Sequence, residues 1–207
     1  TLCPTFSYAV DSDTADYNGY NLSYIDGEMQ FFVDTKTSRR VKFQLGLPGI
    51  HNVSNALACI ALLDQLGLPM AEIQRGLASF KGVKRRFDVQ IKTSDLVYID
   101  DYAHHPEELK SLIDSLRMMY PEQKISAVFQ PHLYTRTRDF GNAFSEQLSR
   151  FDSLILLPIY PAREREIIGV SSEWLLSMVH LKNKEVLSAT SVLEAMKEKT
   201  KGVVVTI

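Results

Sequence analysis

The chain has 207 residues, of which 45% are hydrophobic and 23% are charged, and its formal net charge is −2. These values are typical of a globular protein, and the slight acidity disfavours binding to nucleic acid or to a membrane surface. Its two cysteines, Cys3 and Cys59, have no metal-ligand spacing. A disulfide framework is therefore not expected. A reducing, cytoplasmic setting is expected instead. The sequence contains no run of about 18 apolar residues, so no membrane span is predicted.

The segment between residues 5 and 45 alternates polar and apolar residues, a pattern that predicts strands. Phe31–Val33 and Val41–Phe43 are expected to form two antiparallel strands joined by a hairpin-like segment. Tyr17–Gly19 and Asp26–Gly27 carry turn-forming residues and are interpreted as turns.

Two helices are predicted after these strands. Asn52 is expected to cap the first helix and Gly67 to end it, because these residue types favour those positions. The second helix is expected over about residues 70–80. The first helix carries an apolar stripe at helical spacing, formed by Val53, Ala56, Leu57, Ile60 and Leu63.

Beyond Arg86, short apolar strands alternate with helices of about ten residues. The predicted strands are 87–91, 96–99, 125–129, 153–157, 185–187 and 203–207. The predicted helices are 107–119, 140–150, 172–181 and 191–200. This alternation predicts an α/β fold with a doubly wound, mostly parallel sheet. Since the pattern changes near residue 82, we expect two domains, 1–82 and 83–207.

The segment Asp100–Pro106 places two carboxylates, a phenol and two imidazoles between a predicted strand and the next helix. Ligand sites in open α/β sheets lie at the carboxyl ends of strands. An aspartate there could accept hydrogen bonds from ribose hydroxyls, and His104 and His105 could bind an anion or a metal, or carry protons. A metal would need a further ligand such as His132, so a polar ligand site is favoured.

Two later segments that also follow predicted strands carry arginine pairs. Arg136 and Arg138 have hydroxyl residues around them, a pattern suited to a carboxylate or phosphate. A nucleic-acid loop would look similar, but the acidity of the chain disfavours it. Arg163 and Arg165 form the other pair, for which local charge pairing with Glu164 and Glu166 is the stronger explanation. Polar residues at three strand ends predict one cleft for an anionic ligand.

Two patterns near the expected domain boundary suit a nucleotide. Asn52 and Asn55 share one face of the first helical turn, where carboxamides match an adenine edge, although a cap with a polar first turn explains them too. An arginine in the basic segment 81–86 could reach a polyphosphate, whereas the alternative is a solvated linker.

Five motifs resemble the Mur ligase family and occur in its order: GIHNVSNALA, FKGVKRRFD, DDYAHHP, QPHLYTRTRDF and YPAREREIIGVSS. The resemblance implies an ATP- and Mg2+-dependent ligase that joins L-alanine to UDP-N-acetylmuramate through an acyl-phosphate, in peptidoglycan precursor synthesis. It implies a Rossmann-like C-terminal domain over residues 83–207. Residues 1–82 would form the α+β second half of a P-loop-type central ATPase domain. Small-molecule partners are therefore expected, without nucleic acid or membrane.

The resemblance also implies nucleotide-binding roles. Asn52 and Asn55 resemble the pair that contacts adenine. Arg86 resembles the interdomain arginine that meets the ATP phosphates. Asp101 resembles the ribose-binding aspartate, and Tyr102 lines the same cleft.

Further residues resemble the substrate side of the family site. His104 lines the cleft, while His132 and Arg136 resemble the residues nearest the substrate carboxylates, with Arg138 beside them. The candidate catalytic residues are Arg86, His104, His132 and Arg136. None of these residues is assigned to a metal.

The sequence departs from the family pattern in ways that bear on activity. No Gly is followed by Lys, so the phosphate-binding P-loop is absent from these residues, and the first residue is Thr1 rather than Met. We therefore expect a piece of a longer enzyme that is inactive alone, with most Mg2+ ligands upstream. Leu133 stands where relatives often carry Arg.

Three other functions remain open at this point. A recycling ligase that attaches a tripeptide to the same nucleotide sugar shares a DDYAHHP-like segment, although QPHLYTRTR and YPAREREIIGVSS favour the alanine ligase. A non-catalytic nucleotide-binding module would lack a P-loop and catalytic acids upstream. A nucleic-acid-binding α/β domain would show salt-dependent binding to DNA or RNA.

Overall fold

A computed structural model of the chain describes residues 4–25, 27–197 and 201–207. The chain divides into two compact units, Thr1–Gly82 and Val83–Ile207. Cys3, the Asp26 half of one predicted turn and the last three positions of the predicted helix 191–200 lie outside the described residues. No helix among the described residues is long and apolar enough to cross a membrane.

The first unit contains a mixed sheet whose strands follow one another in chain order. They are β1 (Tyr8–Val10), β2 (Tyr17–Ile25), β3 (Glu28–Asp34) and β4 (Val41–Leu45). The β1–β2 pairing is parallel, and the other two pairings are antiparallel. Met29, Phe31 and Val33 alternate into the core because successive strand residues point to opposite faces. The two predicted antiparallel strands are thereby confirmed.

The turn predicted at Tyr17–Gly19 is wrong, because these residues begin β2. Tyr17 is buried, and its hydroxyl donates a hydrogen bond to Asp64 at 2.7 Å. A Cβ at Gly19 would lie 2.9 Å from Leu57 Cδ1. The glycine therefore permits a helix to approach the sheet closely and does not mark a turn.

Two helices pack on this sheet, α1 (Ile50–Gln65) and α2 (Met70–Ser79). The expectation that Asn52 caps α1 is wrong. Gly49 occupies the cap position at φ +100°, and the side-chain amide of Asn52 donates to the Pro48 carbonyl at 2.7 Å. Gly67 follows the helix at φ +80°, the left-handed conformation that glycine adopts without strain, as the sequence predicts.

Within the described residues, the second unit holds a six-stranded sheet with the order β5-β6-β10-β7-β8-β9. Its elements are β5 (Asp88–Lys92), β6 (Leu96–Asp100), α3 (Pro106–Met119), β7 (Ile125–Phe129), α4 (Tyr134–Asp139), α5 (Gly141–Leu148), β8 (Ser153–Leu156), α6 (Ser172–Met178), β9 (Lys184–Val186), α7 (Ala189–Lys197) and β10 (Gly202–Thr206). Four of the five described pairings are parallel, and only β5 runs antiparallel to its neighbour. The prediction of an α/β fold with a mostly parallel sheet is confirmed.

The core of the second unit lies between one face of this sheet and helices α3, α5 and α6. Ile99, Val205, Ala127 and Leu154 lie in register across four adjacent strands of that face. Because β6, β10, β7 and β8 are parallel, their carboxyl ends share one edge of the sheet. The polar segments that follow β6, β7 and β8 therefore meet at this edge.

Candidate functional site

Asp101 is the first polar residue after β6, and backbone amides occupy part of its carboxylate. Its Oδ2 accepts a hydrogen bond from the Phe87 amide at 2.6 Å, and its Oδ1 accepts one from the Ala103 amide at 2.8 Å. Burial raises the pKa of the Asp101 carboxyl, while the two amides and the charge of Arg86 oppose that rise. Asp101 thus joins the segment before β5 to the loop after β6, and each of its oxygens keeps acceptor capacity for a ligand.

Tyr102 lies between a guanidinium and an imidazole. The Arg85 Cζ is 4.6 Å from the centre of the Tyr102 ring, and the His104 ring centre is 5.1 Å away. The Tyr102 amide donates to the Arg85 carbonyl at 2.8 Å, and Arg85 Nε lies 3.6 Å from Asp100 Oδ2. With 46% of its surface exposed, Tyr102 presents an aromatic face that a ligand could stack on.

The backbone amides of the two adjacent histidines both donate to Glu108, but their side chains have different hydrogen-bond partners. His104 Nδ1 lies 2.8 Å from the Tyr102 carbonyl, which can only accept, so Nδ1 carries the proton and Nε2 is left for a ligand. His105 instead caps α3 by accepting from the Glu107 amide, and Glu108 closes the capping box. Of the pair, His104 belongs to the candidate site and His105 holds the helix.

His132 follows β7 and faces the loop that follows β8. Its ring stacks on Tyr160 at 5.3 Å, and the backbones of the two residues form a parallel bridge. The His104 ring centre lies 6.4 Å from that of His132. Burial and then the charges of Arg136 and His104 lower the pKa of His132, while Glu164 opposes them. His132 is therefore a neutral imidazole near pH 7.

Arg136 lies on α4, where the sequence predicted a loop. Its Nη1 is buried and finds no hydrogen-bond partner among the described residues. A buried, unpaired guanidinium nitrogen is costly, so an anionic oxygen is the natural complement. Arg138 differs, because it is exposed and its Nε donates to Asp139 at 2.7 Å. The structure thus separates the two arginines that the sequence grouped together.

Glu164 supports α4 from the loop after β8. Its two carboxylate oxygens accept hydrogen bonds from the amide and the hydroxyl of Thr135. The interpretation of Glu164 as a local partner of Arg163 and Arg165 is wrong, since neither arginine forms an ion pair within the described part of the chain. The sequence offered no signal for this contact, because Thr135 on α4 and Glu164 on the loop after β8 are 29 positions apart.

The first unit carries the asparagine pair by itself. Asn52 is half-buried and uses its amide nitrogen on Pro48, so its carboxamide oxygen remains an acceptor. Asn55 is exposed on the same first turns of α1. Arg86 belongs to the second unit, where it is exposed and acts on Asp101 through its charge.

The described residues offer no group of three or more His, Cys, Asp or Glu side chains placed to hold a metal ion. The alternative of a metal bound by His104, His105 and His132, which the sequence disfavoured, therefore has no support in the described structure. Cys59, the cysteine that is described, is exposed and free.

Two family models match the chain, one for each unit. The Mur ligase middle domain matches residues 1–63, and the domain described as Mur ligase, glutamate ligase domain matches residues 85–206. The chain therefore belongs to the Mur ligase family, as the five motifs predicted.

Within that family, the chain is similar to UDP-N-acetylmuramate–L-alanine ligases. The protein of that name from Flavobacterium psychrophilum is 45% identical over 196 residues, which are 95% of this chain and 44% of that protein. The one from Cytophaga hutchinsonii is 42% identical over 206 residues, covering 100% of this chain and 44% of that protein. The chain thus spans less than half the length of these curated relatives.

Solved structures show the same fold. The UDP-N-acetylmuramate-alanine ligase from Thermotoga maritima superposes with a TM-score of 0.75 at 26% identity, covering 95% of this chain and 43% of that one. A murein peptide ligase from Psychrobacter arcticus superposes with a TM-score of 0.60 at 18% identity, covering 97% and 43%. The latter likeness concerns the fold alone.

Proposed function

We propose that this chain forms part of an ATP-dependent ligase that joins L-alanine to UDP-N-acetylmuramate in peptidoglycan precursor synthesis. Its identity of 40–45% to ligases of that name supports the substrates. The observation that carries the chemistry is the buried, unpaired Nη1 of Arg136 close to His132, at the sheet edge where His104 also lies. That arrangement suits a substrate carboxylate.

The amino-acid side of the reaction falls to four residues in this proposal. Arg136 receives a carboxylate, with His104 lining the same cleft. Arg138 assists only if its pair with Asp139 opens. Alanine must lose a proton from its ammonium before it can attack an acyl-phosphate. His132 is neutral near pH 7 and is the residue we assign to accept that proton.

Each unit carries residues that we assign to the nucleotide in this proposal. Asn52 and Asn55 contact adenine, and Arg86 meets the phosphates. Asp101 receives the ribose hydroxyls on the acceptor capacity that its two amide bonds leave, and Tyr102 offers its exposed ring. ATP supplies the phosphoryl group that activates the muramyl carboxylate, and charge neutralisation around it lowers the barrier.

Magnesium is assigned no ligand in this chain. The described residues lack a cluster suited to it, so we propose that its ligands and the P-loop come mostly from residues outside these 207. The isolated chain would then be inactive, because the β- and γ-phosphates are not held for in-line transfer.

A competition assay on the complete ligase tests the substrate assignment. With UDP-N-acetylmuramate, ATP and Mg2+, equal concentrations of L-alanine and of the intact tripeptide should yield the alanyl product. Formation of the tripeptide product would instead favour the recycling ligase. Nucleotide binding without any product would favour a non-catalytic module.

A further inference from the structure

We propose that Glu164 is a positioning residue that clamps α4 through Thr135 and thereby presents Arg136 and His132 to the substrate. The inference rests on the proposed function, because the substrate carboxylate is what Arg136 would meet. Glu164 itself would touch neither substrate nor nucleotide.

Helix α4 cannot cap its own amino end. The cap position is Leu133, which has no polar side chain and adopts a φ of +74°. A non-glycine residue in that region is strained and persists only where its surroundings hold it. At six residues the helix is also too short to be stable alone. Its position must therefore be fixed by contacts from outside the helix.

Glu164 supplies that contact with both carboxylate oxygens. Oε2 accepts from the Thr135 amide at 3.0 Å, which satisfies a first-turn amide of α4, and Oε1 accepts from the Thr135 hydroxyl. A negative charge at a helix amino end is favourable as well. The next acid in the loop, Glu166, acts on the same helix, since burial and then the charge of Glu166 raise the pKa of the Tyr134 hydroxyl. The loop after β8 thus acts on two consecutive residues of α4, Tyr134 and Thr135.

The clamp is adjacent to the groups that the reaction needs. Arg136 follows Thr135 directly, and its charge helps to hold the pKa of the Glu164 carboxyl below its usual range, after the bonds from Thr135. Glu164 also acts on His132, where it opposes the effect of Arg136. The carboxylate thus balances the guanidinium locally while leaving Nη1 of Arg136 unpaired.

Other contacts keep α4 attached to the rest of the unit, so the loss of the clamp should displace its first turn without unfolding the helix. Thr137 is fully buried, and its hydroxyl donates to the Leu133 carbonyl at 2.8 Å. The Leu133 amide donates to the Tyr160 carbonyl at 2.9 Å. Removing the Glu164 carboxylate therefore loosens the first turn at Thr135 and Arg136, while Leu133 and Thr137 on either side keep their contacts.

The test uses matched substitutions in the complete ligase. Glu164→Ala removes both bonds, and Thr135→Val removes only the hydroxyl bond at nearly constant volume. Thr135→Ser keeps the hydroxyl and should rescue the activity. Glu122→Gln is the charge control. Glu122 is exposed in the turn before β7, at the other end of the strand, and it pairs with no described residue.

We expect Glu164→Ala and Thr135→Val to lower kcat/KM for L-alanine by about tenfold, because a charge-assisted hydrogen bond is lost, and to change KM for ATP by less than about twofold. Thr135→Ser and Glu122→Gln should match the wild type. The thermal midpoint of Thr135→Val should stay within about 3 °C of the wild type.

Three outcomes separate the possibilities. Unchanged alanine kinetics in both Glu164→Ala and Thr135→Val would overturn the clamp. An equal loss for alanine and ATP that follows a lower thermal midpoint would also overturn it, since the contact would then be merely structural. A wild-type ligase that forms no alanyl product would instead refute the proposed function.

Discussion

His104 and His105 are adjacent and chemically identical, yet their partners assign them to different tasks. His104 donates from Nδ1 to a backbone carbonyl and keeps Nε2 for a ligand, whereas His105 caps α3 and packs its ring edge against Phe140 at 4.7 Å. The motif alone did not separate them, because the division depends on which ring nitrogen meets which backbone group.

Replacing Arg136 by Lys in the complete ligase should damage the use of alanine. The planar guanidinium can give a carboxylate two parallel hydrogen bonds, and an ammonium cannot. We expect a loss of roughly 1.5–3 kcal/mol, which is about ten- to a hundredfold in kcat/KM for alanine, with a smaller effect on ATP. Arg75→Lys is the control, since Arg75 pairs only with its exposed helical neighbour Glu72 among the described residues. Steady-state kinetics with unchanged alanine kcat/KM would remove Arg136 from the site.

His132 should titrate below the usual pH range of a histidine, about 6.5, because burial and then the charges of Arg136 and His104 favour its neutral form. Removing the opposing charge with Glu164→Gln should lower the pKa of His132 further. A nuclear magnetic resonance titration of this chain, with the signal assigned through His132→Gln, measures both values. A titration at or above about 6.5 in the wild type would contradict the assignment of a neutral imidazole.

The same shift has a consequence for stability, and its sign is fixed. The unfolded chain binds a proton at this histidine more readily than the folded chain does, so the contribution of His132 to stability is lost as the pH falls from the unfolded pKa through the lower folded one. The decrease in unfolding free energy between about pH 7.5 and 5.5 should therefore be smaller in His132→Gln than in the wild type.

At the scale of elements, the strands that bear the site were predictable and the short helix was not. Apolar runs bounded by polar residues located β6 and β7, and parallel order placed their carboxyl ends together. Helix α4 has a sequence of polar residues without an apolar period. One buried threonine and a distant carboxylate hold the helix in place. Such tertiary contacts leave no mark on local spacing.

Two further errors arose because a residue type does not determine its contact. Asn52 has the composition of a cap, but Gly49 takes that position, and the asparagine bonds backward to Pro48. Gly19 follows an asparagine as in a turn, but its missing side chain makes room for Leu57. In both cases, the residue type was correctly noted, and its contact in the folded structure, local for Asn52 and with α1 for Gly19, decided its structural role.

Gly19→Ala tests that explanation for β2. The added Cβ would meet Leu57, which is fully buried, so we expect a loss of about 1–3 kcal/mol in the stability of the first unit. Gly76→Ala is the matched control. Apart from its chain neighbours and the adjacent backbone of α2, no described atom lies within 4 Å of its Cβ position, and alanine should stabilise the helix by about 0.5–1 kcal/mol. Urea titrations followed by the amide signals of β2 and α1 would refute the account if the two variants behaved alike.

At the scale of the whole molecule, the segment that links the two units is tied to the second one. The amide of Arg85 donates to Asp88, and the Phe87 amide donates to Asp101. We therefore expect a hinge between the two units to lie before Arg85. Lys81 and Lys84 are the exposed basic residues on that side.

Limited proteolysis tests the position of this hinge. Trypsin should cut after Lys81 or Lys84 before it cuts after Arg85 or Arg86, since backbone bonds hold the latter pair. In the complete ligase, ATP should slow the cleavage. Identical cutting with and without nucleotide would count against a ligand-gated hinge, and early cutting after Arg86 would place the hinge elsewhere.

The central claim is that these two units supply the amino-acid side, and part of the nucleotide side, of a UDP-N-acetylmuramate–L-alanine ligase. The most direct measurement is the mass-spectrometric detection of UDP-N-acetylmuramoyl-L-alanine, with phosphate release, from UDP-N-acetylmuramate, ATP, Mg2+ and L-alanine. We expect product from the complete ligase. We expect none from the isolated 207-residue chain, which contains no Gly-Lys pair to hold the phosphates. Sustained alanine-dependent product from the isolated chain, or none from the complete ligase, would contradict the central claim.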